Sequence, residues 1–269
     1  VRRLVPLVVG GVLTAVLVGA PAAPASVGTT ATTTSSPHAA AAYARTDRGP
    51  AVVEHRVIGR SVRGRPLHAW RLGEPGKRRV VLLSTMHGNE PHTRQILTSL
   101  RDGRPVRGID LWVVPVVNPD GLAQRTRRNA RGVDLNRNFP HDWADLDGNY
   151  ESGPRPASEP ETRAVMGFLR QVRPRRVLSF HQPLNGVDTD TKDPRFARRL
   201  ARALLLPTTT LDCGGLCHGT MTSWYNARFA GAALTIEYAA RPPRHRMVVE
   251  APRQLLGVLG ARRVSPGAR

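Results

Sequence analysis

The chain has 269 residues, 40 of them lysine or arginine against 20 acidic residues, for a net charge of +20, and 40% are hydrophobic. That length holds one large domain or two small ones, and the hydrophobic share is enough for a buried core, which excludes wholesale disorder, a collagen-like fibre and a multispanning membrane protein. The positive charge suits an anionic partner, for which nucleic acid, anionic lipid and an anionic cell-wall polymer are the candidates. Only Lys77 and Lys192 are lysines. Arginine also replaces lysine in coding sequences rich in G and C, and the scatter of these arginines favours that origin. No aromatic-interleaved basic stripe exists, so no nucleic-acid partner is expected.

Arg2 and Arg3, the apolar run Leu4 to Val18 and the small-residue site Ala23-Pro24-Ala25 have the order of a secretory signal peptide. Residues 1–25 are therefore expected to direct export and be removed, which places the mature protein outside the cell or in the cell wall. The apolar run is shorter than the ~20 residues a span requires, so no stable membrane span is expected after cleavage. Residues 26–48 are rich in Ala, Thr and Ser and read as a linker. Residues 49–262 form the expected folded domain, 263–269 a tail, and the protein is expected to be a monomer. In an oxidising destination the two cysteines, Cys213 and Cys217, are expected to form a short loop disulfide. A zinc knuckle there would need more ligands than this pair and the adjacent His218 supply.

From Gly49 the periodicities alternate. Val57 to Ser61 and Leu67 to Leu72 flank Gly64-Arg65-Pro66 as a β-hairpin. Arg79 to Thr85 predicts a buried strand, and Glu90 to Leu100 a helix. Ile109 to Val117 predicts a second buried strand, closed by Asn118-Pro119-Asp120-Gly121 as a turn. Ser158-Glu159-Pro160-Glu161 reads as a capping box for a helix to about Val172. Val177 to Phe180 is a third strand, Asp193-Pro194 starts a helix reaching Leu206, Ala232 to Ile236 is a fourth strand, and the last helix runs from Val248 to Leu259. Strands and helices alternating without a dividing linker predict a single α/β domain, with a mostly parallel mixed central sheet flanked by helices on both faces.

In such a sheet the ligand crevice lies beyond the carboxyl ends of the strands. His87 and Glu90 follow the first buried strand, His181 the third and Glu237 the fourth. Two imidazoles and a carboxylate form a catalytic zinc set with one position left open, and a further free carboxylate can carry protons. His-x-x-Glu alone is weak evidence, because a pair at this spacing arises readily by chance.

The segments between these residues sharpen the reading. His87-Gly88-Asn89-Glu90, Asn118-Pro119-Asp120-Gly121, the stretch Arg127 to Pro140, Ser152-Gly153-Pro154, Ser158 to Thr162, Ser179-Phe180-His181 and Thr235-Ile236-Glu237 resemble the zinc metallocarboxypeptidase family, in the family's order. The resemblance spans about residues 50–260 and is closest to the compact bacterial branch that includes murein peptide amidases, which cut cell-wall peptides between D-glutamate and the diamino acid. It implies one zinc per chain held by His87, Glu90 and His181, with Glu237 as general base and acid. It implies that Arg127 polarises the scissile carbonyl and that Asn136 and Arg137 grip the terminal carboxylate of a peptide. Digestive members carry a loop tyrosine, and Tyr225, in a segment that reads as a helix, is not assigned that role. The expected function is a secreted carboxypeptidase acting on murein peptides. The alternatives are a general extracellular metallocarboxypeptidase, an acylamino-acid deacylase and a noncatalytic wall-binding module.

Overall fold

The computed structural model describes residues 51–211 and 213–264. The expected signal peptide and linker, and the last five residues of the expected tail, lie outside them. In chain order the elements are β1 (Val52–Arg60), β2 (Pro66–Gly73), β3 (Arg79–Ser84), α1 (Arg94–Asp102), β4 (Val106–Arg107), β5 (Asp110–Val114), α2 (Pro119–Gln124), α3 (Pro160–Val172), β6 (Arg176–His181), β7 (Leu184–Asp188), α4 (Pro194–Leu204), β8 (Thr208–Thr209), α5 (Met221–Arg228), β9 (Ala232–Ala239), α6 (Ala251–Val258) and β10 (Arg262–Arg263).

Eight strands form one sheet in the order β1-β2-β5-β3-β6-β9-β7-β8. The four buried inner strands β5, β3, β6 and β9 run parallel, while β2 and β7 join them antiparallel on either side. The sheet is therefore mixed with a parallel centre, as the alternation predicts. Strand period two splits the apolar runs between two cores. Val80, Leu82, Leu111, Val113, Leu178, Phe180, Leu234 and Ile236 pack with residues of α1, α4 and α6. Val81, Leu83, Trp112, Val114, Val177 and Ala233 pack on the opposite face with residues of α3 and α5. Continuous Val and Leu runs are what two covered faces require.

Several boundaries differ from the sequence reading. The first helix begins at Arg94, not Glu90, because the chain from His87 turns back, with Glu90 N donating to His87 O at 3.1 Å and the Glu90 carboxylate drawn to His87 and His181. The second buried strand stops at Val114, before Pro115. Asn118-Pro119-Asp120-Gly121 opens α2 instead of forming a free turn: Pro119 takes the first helical position and Asn118 Oδ1 accepts from Gly121 N at 2.8 Å. The capping box at Ser158 is not made. Glu159 precedes α3 without a capping bond, and Ser158 Oγ donates to Glu159 Oε1 while Glu161 accepts from Val62 N and Asn129. Asp193 does cap α4, accepting from Phe196 N at 3.0 Å. The last helix opens with a wide turn over Arg246–Glu250 before α6. The short strands β7 and β8 have no counterpart in the sequence reading.

Candidate active site

β3, β6 and β9 end side by side, Ser84 paired with Phe180 and His181 with Glu237. Their carboxyl ends bring together residues far apart in sequence. After β3, Thr85 takes a left-handed conformation and the chain turns through His87 to Glu90. That turn lies so close to α2 that a Cβ on Gly88 would sit 1.9 Å from the Gly121 carbonyl carbon, which is why glycine stands between the histidine and the glutamate. Asn118 Nδ2 donates to Met86 O and Arg127 O and ties the same turn to the next loop.

His87, Glu90 and His181 are buried and point at one another. His87 Nδ1 lies 2.7 Å from Glu90 Oε1, His181 Nδ1 lies 3.1 Å from Glu90 Oε2, and the two Nδ1 atoms are 3.3 Å apart. The outward nitrogens are also engaged: His87 Nε2 with Asp134 Oδ1 at 3.1 Å, and His181 Nε2 with Ser179 Oγ at 2.8 Å. Facing a carboxylate, His87 Nε2 keeps its proton, so the neutral ring turns a bare Nδ1 inward. Acceptors crowded on one point repel unless a cation lies among them. Tetrahedral zinc with bonds of about 2.0–2.1 Å to nitrogen separates its ligands by about 3.4 Å, close to the spacing of the two Nδ1 atoms. The donor set fits zinc.

The same carboxylates draw positive charge to this point, a proton on His87 where no cation is bound. Burial alone would lower the His87 pKa, but the carboxylates of Glu90 and Asp134 outweigh it and push the imidazole up to about 9. Burial would raise Glu90, yet His87 and His181 hold it down at about 2. Asp134 is held far below the usual carboxylate range by His87 and Arg127 against the opposing effect of its burial.

Arg127 donates through Nε to Asp134 Oδ2 at 2.9 Å, and its Nη1 lies 3.3 Å from His87 Nδ1. Its guanidinium is thus fixed at the edge of the donor set. Glu237 is buried beside His181, and its Oε2 accepts from Leu184 N at 3.3 Å. Burial lifts its pKa above the usual carboxylate range, opposed by His181 and assisted by Glu90. Asn136 Oδ1 accepts from Met221 N at 3.0 Å, which locks the loop onto the start of α5. Arg137 is 3% exposed, donates from Nη1 to Asn136 O at 2.9 Å, and has no partner for Nε. All seven residues singled out from the sequence line one cavity of about 820 Å³.

Sequence reasoning left some contributors unassigned. Asp134 stood in the quoted stretch as an acid between Val133 and Leu135, a sign of a buried carboxylate needing a partner. Ser179 likewise stood beside His181. Tyr150 carried no signal: its ring lies 5.3 Å from the Arg127 guanidinium and 4.7 Å from that of Arg137, and it lines the cavity. Tyr225 faces elsewhere, its buried hydroxyl donating to Pro174 O at 2.5 Å. Cys213 and Cys217 are bonded, Cα atoms 5.2 Å apart, and line the cavity mouth, while His218 pairs with Asp142 and not with the cysteines.

A sequence model described as zinc carboxypeptidase matches residues 40–185. The chain belongs to the zinc carboxypeptidase family. Murein peptide amidase A of Escherichia coli K12 is 33% identical over 204 residues, covering 67% of this chain and 79% of that protein. The protein of the same name from Vibrio campbellii is 29% identical over 198 residues, covering 68% and 79%. The crystal structure of murein-tripeptide amidase from Escherichia coli O157 superposes with a TM-score of 0.64 at 27% identity, covering 80% of this chain and 95% of that one. As a member of this family the protein is a zinc metallopeptidase on a single α/β domain. The family match begins within the expected linker and ends at Asn185, before the strand that carries Glu237.

Proposed function

We propose that the protein is an exported carboxypeptidase that hydrolyses the peptide bond next to a free terminal carboxylate, with murein peptides as its substrates. The observation that carries this reading is Arg137, a buried guanidinium on the cavity wall whose one hydrogen bond among the described residues goes to the carbonyl of its own neighbour. Burying a positive charge without an acidic hydrogen-bond partner is costly, and a substrate carboxylate would supply that partner. The names of the murein peptide amidases in two bacteria support the substrate class.

The catalytic roles follow from placement. Zinc held by His87, Glu90 and His181 would supply a Lewis acid that polarises the scissile carbonyl and makes water more acidic. Arg137 and Asn136 fix the end of the peptide, so the last peptide bond lies between Arg127 and Glu237. Glu237, its proton affinity raised by burial, accepts a proton from the attacking water. The hydroxyl adds to the carbonyl carbon, and the Arg127 guanidinium stabilises the negative oxygen. The C–N bond then breaks, and Glu237 returns the proton to the departing amine. Asp134 holds both His87 and Arg127, which keeps one ligand and the oxyanion partner in register.

Glu237→Gln tests the scheme, since it keeps the shape and removes the proton carrier. Turnover of a murein tripeptide should fall about 10²- to 10⁴-fold while zinc content stays that of the parent. Parent-like rates in this variant would remove Glu237 from the chemistry.

A further inference from the structure

Arg137 reaches the cavity without a long-range anchor of its own. Its Nη1 donates to the carbonyl of Asn136, its neighbour in the chain, and its Nε has no partner. The aim of the guanidinium therefore depends on how the backbone of residues 136–142 is held. One side of that segment is tied to the loop before α3: Asn138 Nδ2 donates to Ser152 O at 2.8 Å, and Ala157 N donates to Asn138 O at 2.7 Å. The other side is covered by the end of the loop that contains the two cysteines.

Gly219 makes that cover. Phe139 N donates to Gly219 O at 2.9 Å, and Gly219 N donates to Asp142 O at 3.0 Å, so one residue bridges two points of the segment. A Cβ on Gly219 would lie 2.3 Å from Arg137 O and 2.8 Å from Arg137 C, and its φ of +59° is left-handed. Glycine here lets one backbone lie directly on the other. On either side of it, His218 Nδ1 lies 2.9 Å from Asp142 Oδ2, and Met221 N donates to Asn136 Oδ1. Residues 218–221 thus hold both ends of the segment that presents Arg137.

The disulfide sits directly upstream. Cys217 precedes His218 and is bonded to Cys213, and both line the cavity. Between them stand Gly214 and Gly215, both at positive φ, and Leu216, which is 38% exposed. Two glycines and an exposed leucine bring no core packing to this stretch, so the covalent bond is what gives it a shape. A ring of this size closes little chain, and its effect is local: it fixes the direction in which the backbone leaves Cys217 for Gly219.

We propose that the Cys213–Cys217 disulfide positions the terminal-carboxylate grip: by seating Gly219 on the carbonyl of Arg137 it sets the aim of the guanidinium and hence the affinity for a free carboxylate. This rests on the carboxypeptidase reading and names the part of the chain that holds Arg137 ready. Among the described residues no hydrogen bond joins Gly219 to the zinc donors or to Glu237, so the effect falls on carboxylate binding and leaves proton transfer alone.

The test measures kcat and KM of the zinc-loaded protein on a murein tripeptide with a free and with an amidated end, for the parent, the double variant Cys213→Ser/Cys217→Ser, and Gly219→Ala. Serine keeps the length of the side chain and removes the bond; alanine leaves the bond and pushes on Arg137 from the other end of the same contact. The ratio of kcat/KM for free over amidated peptide is read, which within one preparation does not depend on how much of the protein is folded. The parent should prefer the free end. Each variant should lower that preference by about 10-fold, carried by KM on the free peptide and short of the ~100-fold that a full ångström of misplacement costs, while the amidated peptide keeps the parent's kcat/KM. A parent that cleaves both peptides equally overturns the carboxypeptidase reading, and this inference with it. A parent that prefers the free end, beside either variant keeping that preference, overturns the role of the disulfide alone. So does equal slowing on both peptides, which is what a general loosening or a direct contact of the disulfide with the peptide would give. Gly219→Ala decides the matter where the serine variant does not fold.

Discussion

Arg137→Ala removes a cavity guanidinium that, unlike Arg127, no carboxylate holds among the described residues, and whose fork can grip a carboxylate by two parallel hydrogen bonds. In the parent Arg137 is 3% exposed, its Nε unpartnered and its Cζ 4.7 Å over the Tyr150 ring, so the guanidinium is already desolvated before substrate arrives. Truncating one partner of a buried, hydrogen-bonded charge pair costs about 2–5 kcal/mol. At 1.36 kcal/mol per tenfold, kcat/KM should fall by about 30-fold to several thousand-fold. Lysine replaces the fork by a single ammonium and should recover only a small part of that loss. Amidating the substrate's terminal carboxylate removes the same contact from the other side. It should slow the parent by a similar factor, and the two changes together should cost little more than either alone. The assay follows cleavage of a murein tripeptide with free and amidated ends by parent, Arg137→Ala and Arg137→Lys, with zinc content as the check on folding. Equal parent rates on the free and amidated peptides would refute the carboxylate grip and move an amidase or deacylase to first place.

Three further outcomes are expected. Elemental analysis of the parent should give about one zinc per chain, and His87→Ala, Glu90→Ala and His181→Ala should each lose most of it; three variants that all retain the parent's zinc would show that other residues hold the metal. Asp134→Asn should weaken zinc binding about 10- to 100-fold in a chelator competition, because it loosens His87 and frees Arg127 together; unchanged affinity would deny it that positioning role. Gly88→Ala places a carbon 1.9 Å from the Gly121 backbone, where no flexible side chain can yield, so overpacking of about 1–3 kcal/mol should lower Tm by several degrees. A Tm within one degree of the parent would show that the turn relaxes freely.

The parallel centre of the sheet was legible because both of its faces are covered. Val80 to Leu83 alternate between two cores, so every position is apolar and the run stands out without any period-two pattern. β7 and β8 were not legible, since Leu184-Asn185-Gly186-Val187-Asp188 buries mainly Gly186 and Val187, and its strand character comes from pairing with β9. Capping was read correctly where the cap is purely local, as at Asp193. It was misread at Ser158, where the hydroxyl and Glu161 are drawn away by Asn138, Asn129 and the backbone of Val62, partners 20 to 99 residues distant. Within the site the candidate zinc donors and Glu237 stood out as polar residues at strand ends, and the structure brings them to one cavity. Asp134 was harder. An acid flanked by apolar residues announces that it needs a partner, but the imidazole that Asp134 meets lies 47 residues away in another loop. That partner is invisible until the strands are in register, when Asp134 holds His87 and Arg127 together from behind the donor set.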